Sequence, residues 1–406
     1  MRLHSLFISC GALALFACGP LTPGRDGGSG GGGGASTGGG AATGGGTAQG
    51  GGAPSGGGGG GTTGGGGTTG GGSASVGGGG GTTGGGGGTS AFSWVRMSFS
   101  PSPAFPAQSF SVKGLARRAN GNVLVSLVTG ELYQSTVGSE QLVKVINVPA
   151  QTASTQLGAI TTVGDDIVLV QGAKILRCTG ACTDFNDYNP IHTLPFGNDP
   201  QALCSDDTTA WLTSGSTSTG VLSKIVASTF TEQVTNLLIG EAWKCKVTGG
   251  DVVIAGEDGV AIFHNGGSST EAIDLMGQAG AGWRDVAAVR NAGVTTAGLL
   301  VGGGSGYRAA VRQTANWVSV TPDTSGAVLT SVLMLADGEY LGGGIENGAS
   351  TTTIGIGKWN GARFVPLTPA APVFEVEHAL KVSNNEVYFA GYERNTGGFV
   401  VVHGTR

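Results

Sequence analysis

Residues 123–135 read VLVSLVTGELYQS and residues 252–264 read VVIAGEDGVAIFH. Laid one over the other, they match strand for strand and turn for turn without a gap. Each is an apolar, β-branched run, a short Gly-containing turn, and a second run of the same kind, the signature of a hairpin. The first run recurs along the chain. It begins at Val123, Ile167, Ala210, Val252, Leu299, Glu339 and Val387, at intervals that average 44 residues. A four-stranded propeller blade occupies about 40–45 residues.

The neighbours of each run repeat as well. Before it comes a strand and a Gly, Asn or Asp turn, as in LARRANG (115–121), VLMLADG (332–338) and ALKVSNN (379–385). After it comes a third strand and, in most repeats, a fourth. The last repeat stops at Arg406 after its third strand, and an unassigned strand, AFSWVRMSFS (91–100), stands before the first. A ring solves both problems: the N-terminal strand completes the last blade and removes an open edge. The expectation is an all-β, seven-bladed β-propeller over 91–406, closed by the N-terminal strand. A pair of β-sandwiches is the rival fold, and no long stretch keeps a helical period.

The fifth unit, LLVGGGSGYRAAVRQTANWVSV (299–320), has an apolar run, paired glycines, an aromatic residue and a Trp in order, and the sixth, with YLGGGIENG and GKWNGARFVPL, follows it. These resemble kelch repeats. The resemblance is to an architecture and implies no particular function.

The residues before 91 are of another kind. Arg2 and His4 precede a 12-residue apolar run, Leu6–Ala17, which is the length of a signal-peptide core and too short to span a membrane. It ends in Leu15-Phe16-Ala17-Cys18-Gly19, which resembles the lipobox of bacterial lipoproteins. That resemblance implies a signal peptide over 1–17, acylation of Cys18, and a partner in the membrane itself, with Gly19 favouring the outer membrane. Of the 82 glycines, 40 fall between Gly24 and Gly88, so residues 18–90 read as a disordered tether with an r.m.s. span of about 45 Å.

With Cys18 set aside, Cys178, Cys182, Cys204 and Cys245 remain downstream, an even number in an exported chain. Cys178 and Cys182 share a loop, and Cys204 and Cys245 hold equivalent places in consecutive repeats, so the expected pairs are 178–182 and 204–245. A four-cysteine zinc site is the rival, and it lacks C-x2-C spacing.

Charged residues make up 12% of the chain and the net charge is −5, which excludes the basic footprint of a nucleic-acid binder. No catalytic motif, metal-ligand spacing or cofactor signature stands out. One cluster, Glu375, Glu377 and His378 in EVEHAL, offers acid–base groups near an inner strand. The residues expected on a binding face around the channel are Arg117, Arg118, Trp243, Lys244, Trp283, Arg284 and His378. The expected function is a monomeric, envelope-anchored binding or scaffold module for a protein, peptide or glycan. The alternative is an exported hydrolase or lyase working at the channel mouth.

Overall fold

The computed structural model describes residues 91–406 apart from 104–110, 148–155, 217–218, 265, 272, 275–281, 304–307, 314–315, 321–327, 337, 346–354, 368–370 and 394–396. The expected signal peptide (1–17), Cys18 and the expected tether (18–90) lie outside the described residues.

Seven sheets of four or five strands, antiparallel through their four main strands, succeed one another along the chain. Their inner strands are Val112–Arg117, Leu157–Val163, Asp199–Ser205, Ala242–Thr248, Trp283–Asn291, Val328–Ala336 and Glu375–Lys381, defining blades 1 to 7. Each inner strand packs beside the next, and Glu375–Lys381 returns to Val112–Arg117, so the ring is closed. All seven apolar runs of the sequence repeat fall in second strands. Val123–Leu127 and Asp251–Gly256 are buried at every residue, because blades cover both faces of the strand. That is why these runs read as continuous rather than alternating. Among the described residues the core divides into seven clusters, one at each interface between successive blades.

The expected closure forms, with one refinement. Ser93–Arg96 pairs antiparallel with Gly398–Thr405, Ser93 opposite Thr405 and Arg96 opposite Val402, and supplies the fourth strand of blade 7. The segment then divides. Met97 turns into the core between blades 7 and 1, and Ser98–Ser100 runs parallel to Gln141–Val143 as a fifth strand of blade 1. One short segment therefore stitches two blades.

Both expected disulfides are present. Cys178–Cys182 closes a loop of blade 2 with Cα atoms 5.8 Å apart, and Cys204–Cys245 joins the inner strands of blades 3 and 4 at 5.6 Å. Both spacings suit an unforced bridge.

Every inner strand is bulged near its start. The pairing with the second strand skips Lys113, the Gly158–Ala159 pair, Gln201, Trp243, Arg284, Thr330 and Glu377 in blades 1 to 7. The bulge presses the inner backbone against the second strand just before the skipped residue. In blades 4 to 7 the residue facing that point is Gly256, Gly302, Gly344 or Gly391. A Cβ at these positions would meet the carbonyl oxygens of Glu241, Gly282, Val328 or Glu375. In these four blades a glycine at or just past the end of the run thus serves close approach of backbone. Gly391→Ala is expected to cost about 1–3 kcal/mol, as overpacking does. Gly267→Ala, whose nearest atom would be the His264 carbonyl oxygen at 3.8 Å, is expected to be near neutral. Chemical denaturation of the two variants checks this, and equal stabilities would contradict the account.

Candidate functional site

In each blade one edge of the inner strand pairs with the second strand and the other faces the central channel. Seven open edges therefore look at one another across a narrow space, and their free N–H and C=O groups need partners. The channel holds a cavity of about 520 Å³, within the range of small-ligand sites. Polar side chains from across the ring satisfy much of the backbone. Lys244 of blade 4 crosses to blades 6 and 7, its ammonium donating to the Thr330 carbonyl at 2.7 Å, the Ser331 hydroxyl at 2.9 Å and the Glu377 carbonyl at 2.7 Å. Those three acceptors use all three of its protons. Lys246 donates to Asp285 at 2.9 Å and to the Val332 carbonyl at 2.5 Å. Lys381 donates to the Leu335 carbonyl at 3.0 Å.

The skipped residues ring the mouth where the inner strands begin, here the leading mouth. Several clasp the adjoining blade. Arg284 lies over the Trp243 ring, 3.9 Å from its centroid, and Gln201 donates to the Glu241 carboxylate at 2.6 Å. Thr330 donates to the Val376 carbonyl. Glu377 accepts from the Val112 amide at 2.6 Å and the Ser111 hydroxyl at 3.1 Å, tying blade 7 to blade 1 across the closure.

Enclosure shifts these groups. Burial pushes the Glu377 carboxyl up to about 7, against the pull of the Val112 amide, Ser111, Lys113 and Lys244. Burial brings the Lys244 ammonium down to about 8 despite nearby Asp285. Burial, then Lys244, holds the His378 imidazole well below its ordinary value and so neutral. His378 Nε2 lies 3.0 Å from the Val112 carbonyl oxygen. A carbonyl only accepts, so Nε2 carries the proton and Nδ1 is the free acceptor.

The structure brings Trp243, Lys244, Arg284 and His378 together at the leading mouth and just inside it. It does not bring the other three expected residues there. Trp283, 1% exposed, packs between blades 4 and 5. Arg118, 4% exposed, donates to the carbonyls of Asp165 at 2.8 Å and Gly180 at 2.5 Å and pins the disulfide loop of blade 2 to blade 1. Arg117 lines the channel at the opposite end of its strand. Of the EVEHAL cluster, Glu375 is buried, Glu377 turns to Ser111 and Val112 of blade 1, and His378 lines the cavity. Sequence reasoning missed Lys113, Gln201 and Thr330. Their only signal is a place at the second or third position of an inner strand.

No protein-family profile matches the chain, and no curated protein does. Solved structures share its architecture. YCF48 from Cyanidioschyzon merolae aligns at a TM-score of 0.53 with 11% identity, over 77% of this chain and 98% of that one. A structure of YCF48 bound to D1 peptide aligns at 0.56 with 10% identity, over 78% and 97%. The WD40 β-propeller domain of Doa1 aligns at 0.53 with 12% identity, over 77% and 97%. At these identities the likeness is one of fold: the chain is a seven-bladed propeller.

The raised Glu377 carboxyl has a thermodynamic consequence. Between its ordinary 4.5 and about 7, the folded state holds this proton more tightly than the unfolded chain. The contribution to stability is full below that window and is lost as pH rises through it. Glu377→Gln is expected to flatten the fall in melting temperature across that range. A variant whose melting temperature falls as steeply as the parent's would show that Glu377 does not titrate there.

Proposed function

We propose that the chain is a lipid-anchored cell-envelope protein, held at the outer membrane through Cys18, that uses the leading mouth of a kelch-like propeller to engage a protein, peptide or glycan. The glycine tether then gives the propeller reach from the membrane, and the module needs no second copy to complete its site. The observation that carries the reading is the ring of bulges. Bulges re-aim side chains and recur beside functional sites, and here all seven blades place one at the same mouth. The loops that feed the inner strands on this side also present apolar side chains to solvent, Phe196, Leu238 and Val373. A propeller of similar fold carries a bound peptide. Binding is preferred to hydrolase or lyase chemistry because Glu377 and His378, the groups such chemistry would draw on, are spent on the backbone of Val112.

Site-specific photo-crosslinking in intact cells tests the reading. A benzoylphenylalanine in place of Trp243 is expected to form adducts with envelope protein or glycan. One in place of Val294, exposed on a hairpin at the other end of blade 5, is expected to form none. Equal labelling from the two positions, or none from Trp243, would overturn it.

A further inference from the structure

We propose that Asn360 is a self-modifying residue: in the folded protein the Gly361 backbone nitrogen closes on the Asn360 side-chain amide, which sheds ammonia and then takes up water to become an acid. The site lies on the turn between the third and fourth strands of blade 6, at the end opposite the leading mouth, and does not rest on the binding reading above.

The chain holds four Asn-Gly pairs, at 120–121, 265–266, 347–348 and 360–361. Asn-Gly is the pair that least hinders such a closure, because glycine has no Cβ to shield its nitrogen or restrict its backbone. In two of the pairs, 120–121 and 360–361, both residues are described. The fold treats those two differently.

Asn360 opens the turn that joins Ile356–Trp359 to Phe364–Pro366, and every residue from Asn360 to Arg363 is exposed. The Asn360 amide donates to the Arg363 carbonyl at 3.0 Å and closes the turn. Its side-chain Oδ1 accepts from the Ala362 amide at 3.0 Å and from the Arg363 amide at 2.9 Å. Two backbone donors on one oxygen polarise the Cγ–Oδ1 bond. They also stand where negative charge gathers when Cγ is attacked, as the donors of an oxyanion hole do. The same bonds fold the carboxamide back over the turn. Among the described residues the Gly361 amide has no hydrogen-bond acceptor, so its proton is open to water and base. A Cβ at Gly361 would meet nothing within 4 Å.

At Asn120 each of these features is weaker or missing. The Gly121 amide donates to the Arg118 carbonyl at 2.9 Å, which ties up the nitrogen that must attack. Among the described residues Asn120 Oδ1 accepts from a single amide, that of Asn122 at 3.0 Å. A Cβ at Gly121 would meet Val137 at 2.9 Å, so the space beside it is filled. The chemistry at Asn360 needs only water. Hydroxide takes the Gly361 amide proton, and the nitrogen lone pair forms a bond to Cγ. The Cγ–Oδ1 π pair moves onto Oδ1. Its return breaks the Cγ–Nδ2 bond, and Nδ2 leaves as ammonia with a proton from water. Water then opens the cyclic imide at either carbonyl and leaves aspartate or isoaspartate at position 360. In sum, water is consumed and ammonia released, with nothing oxidised or reduced.

The test uses the full-length protein in detergent, kept folded in mildly alkaline buffer made with heavy-oxygen water. Peptide mass spectrometry follows the uptake of label, and isoaspartate methyltransferase labelling gives a second readout. In the folded protein the peptide carrying Asn360 is expected to take up heavy oxygen at least about tenfold faster than the peptide carrying Asn120. In denaturant the two are expected to convert at like rates, since each is then a plain Asn-Gly pair without its hydrogen bonds. No uptake at Asn360 in the folded protein would overturn the inference, as would equal uptake at the two sites. A rate ratio that survives unfolding unchanged would overturn it too, because the fold would then play no part.

Discussion

Everything in this molecule hangs on four residue pairs, Ser93 to Arg96 against Val402 to Thr405. Six blades are built from continuous chain, and only blade 7 needs both ends. Without that pairing blade 7 keeps an open edge, and the interface between blades 7 and 1 loses Met97. The surrounding contacts reinforce this seam. The Met97 amide donates to the Val401 carbonyl at 2.9 Å and the Ser98 amide to the Glu140 carbonyl at 2.9 Å, so consecutive residues bond to different blades. His403 of blade 7 stacks on Tyr388 and meets Glu140 of blade 1 at 2.8 Å. Arg406 grips Glu339 of blade 6 through two bonds of 2.8 and 3.0 Å and lies over Phe92. Paired geometry of that kind is worth more than a single surface contact such as Arg96 with Glu393.

The blades were legible in the sequence because a propeller turns periodicity along the chain into rotation about an axis. The same logic made Cys204 and Cys245 readable as a pair: equivalent positions in successive repeats become neighbours on successive inner strands. The mouth was much less legible, and the reason is the bulge. It shifts the in–out alternation by one residue at a point fixed by the partner strand, which the local sequence does not record. Trp283 and Arg284 are adjacent in sequence, and the skip after Trp283 sends the indole into the core and the guanidinium to the mouth. Arg117 and Arg118 show the same ambiguity at the other end of a strand: one faces the channel and one is locked into a turn. Glu377 and His378 sit inside the inner strand Glu375–Lys381, which the sequence placed only nearby.

The glycines show how a structural need surfaces in sequence without declaring its cause. The run-ending Gly looks like a turn residue. Its role in blades 4 to 7 is to stand opposite a bulge, where any side chain would strike a carbonyl. The repeat therefore encodes the mouth indirectly, through the partner strand rather than through the residues that form the site. The residues aimed into the mouth differ from blade to blade, as a shared frame with individual side chains allows.

The seam and the channel are not independent. Glu377 belongs to the last blade and holds the Val112 amide of the first, while His378 holds the Val112 carbonyl. Lys113, the next residue and the one the bulge skips, lies within electrostatic reach of the Glu377 carboxyl. Closing the ring thus brings the bulges of blades 7 and 1 together at the leading mouth. By linkage, whatever binds the closed ring there and not the opened one stabilises the closure.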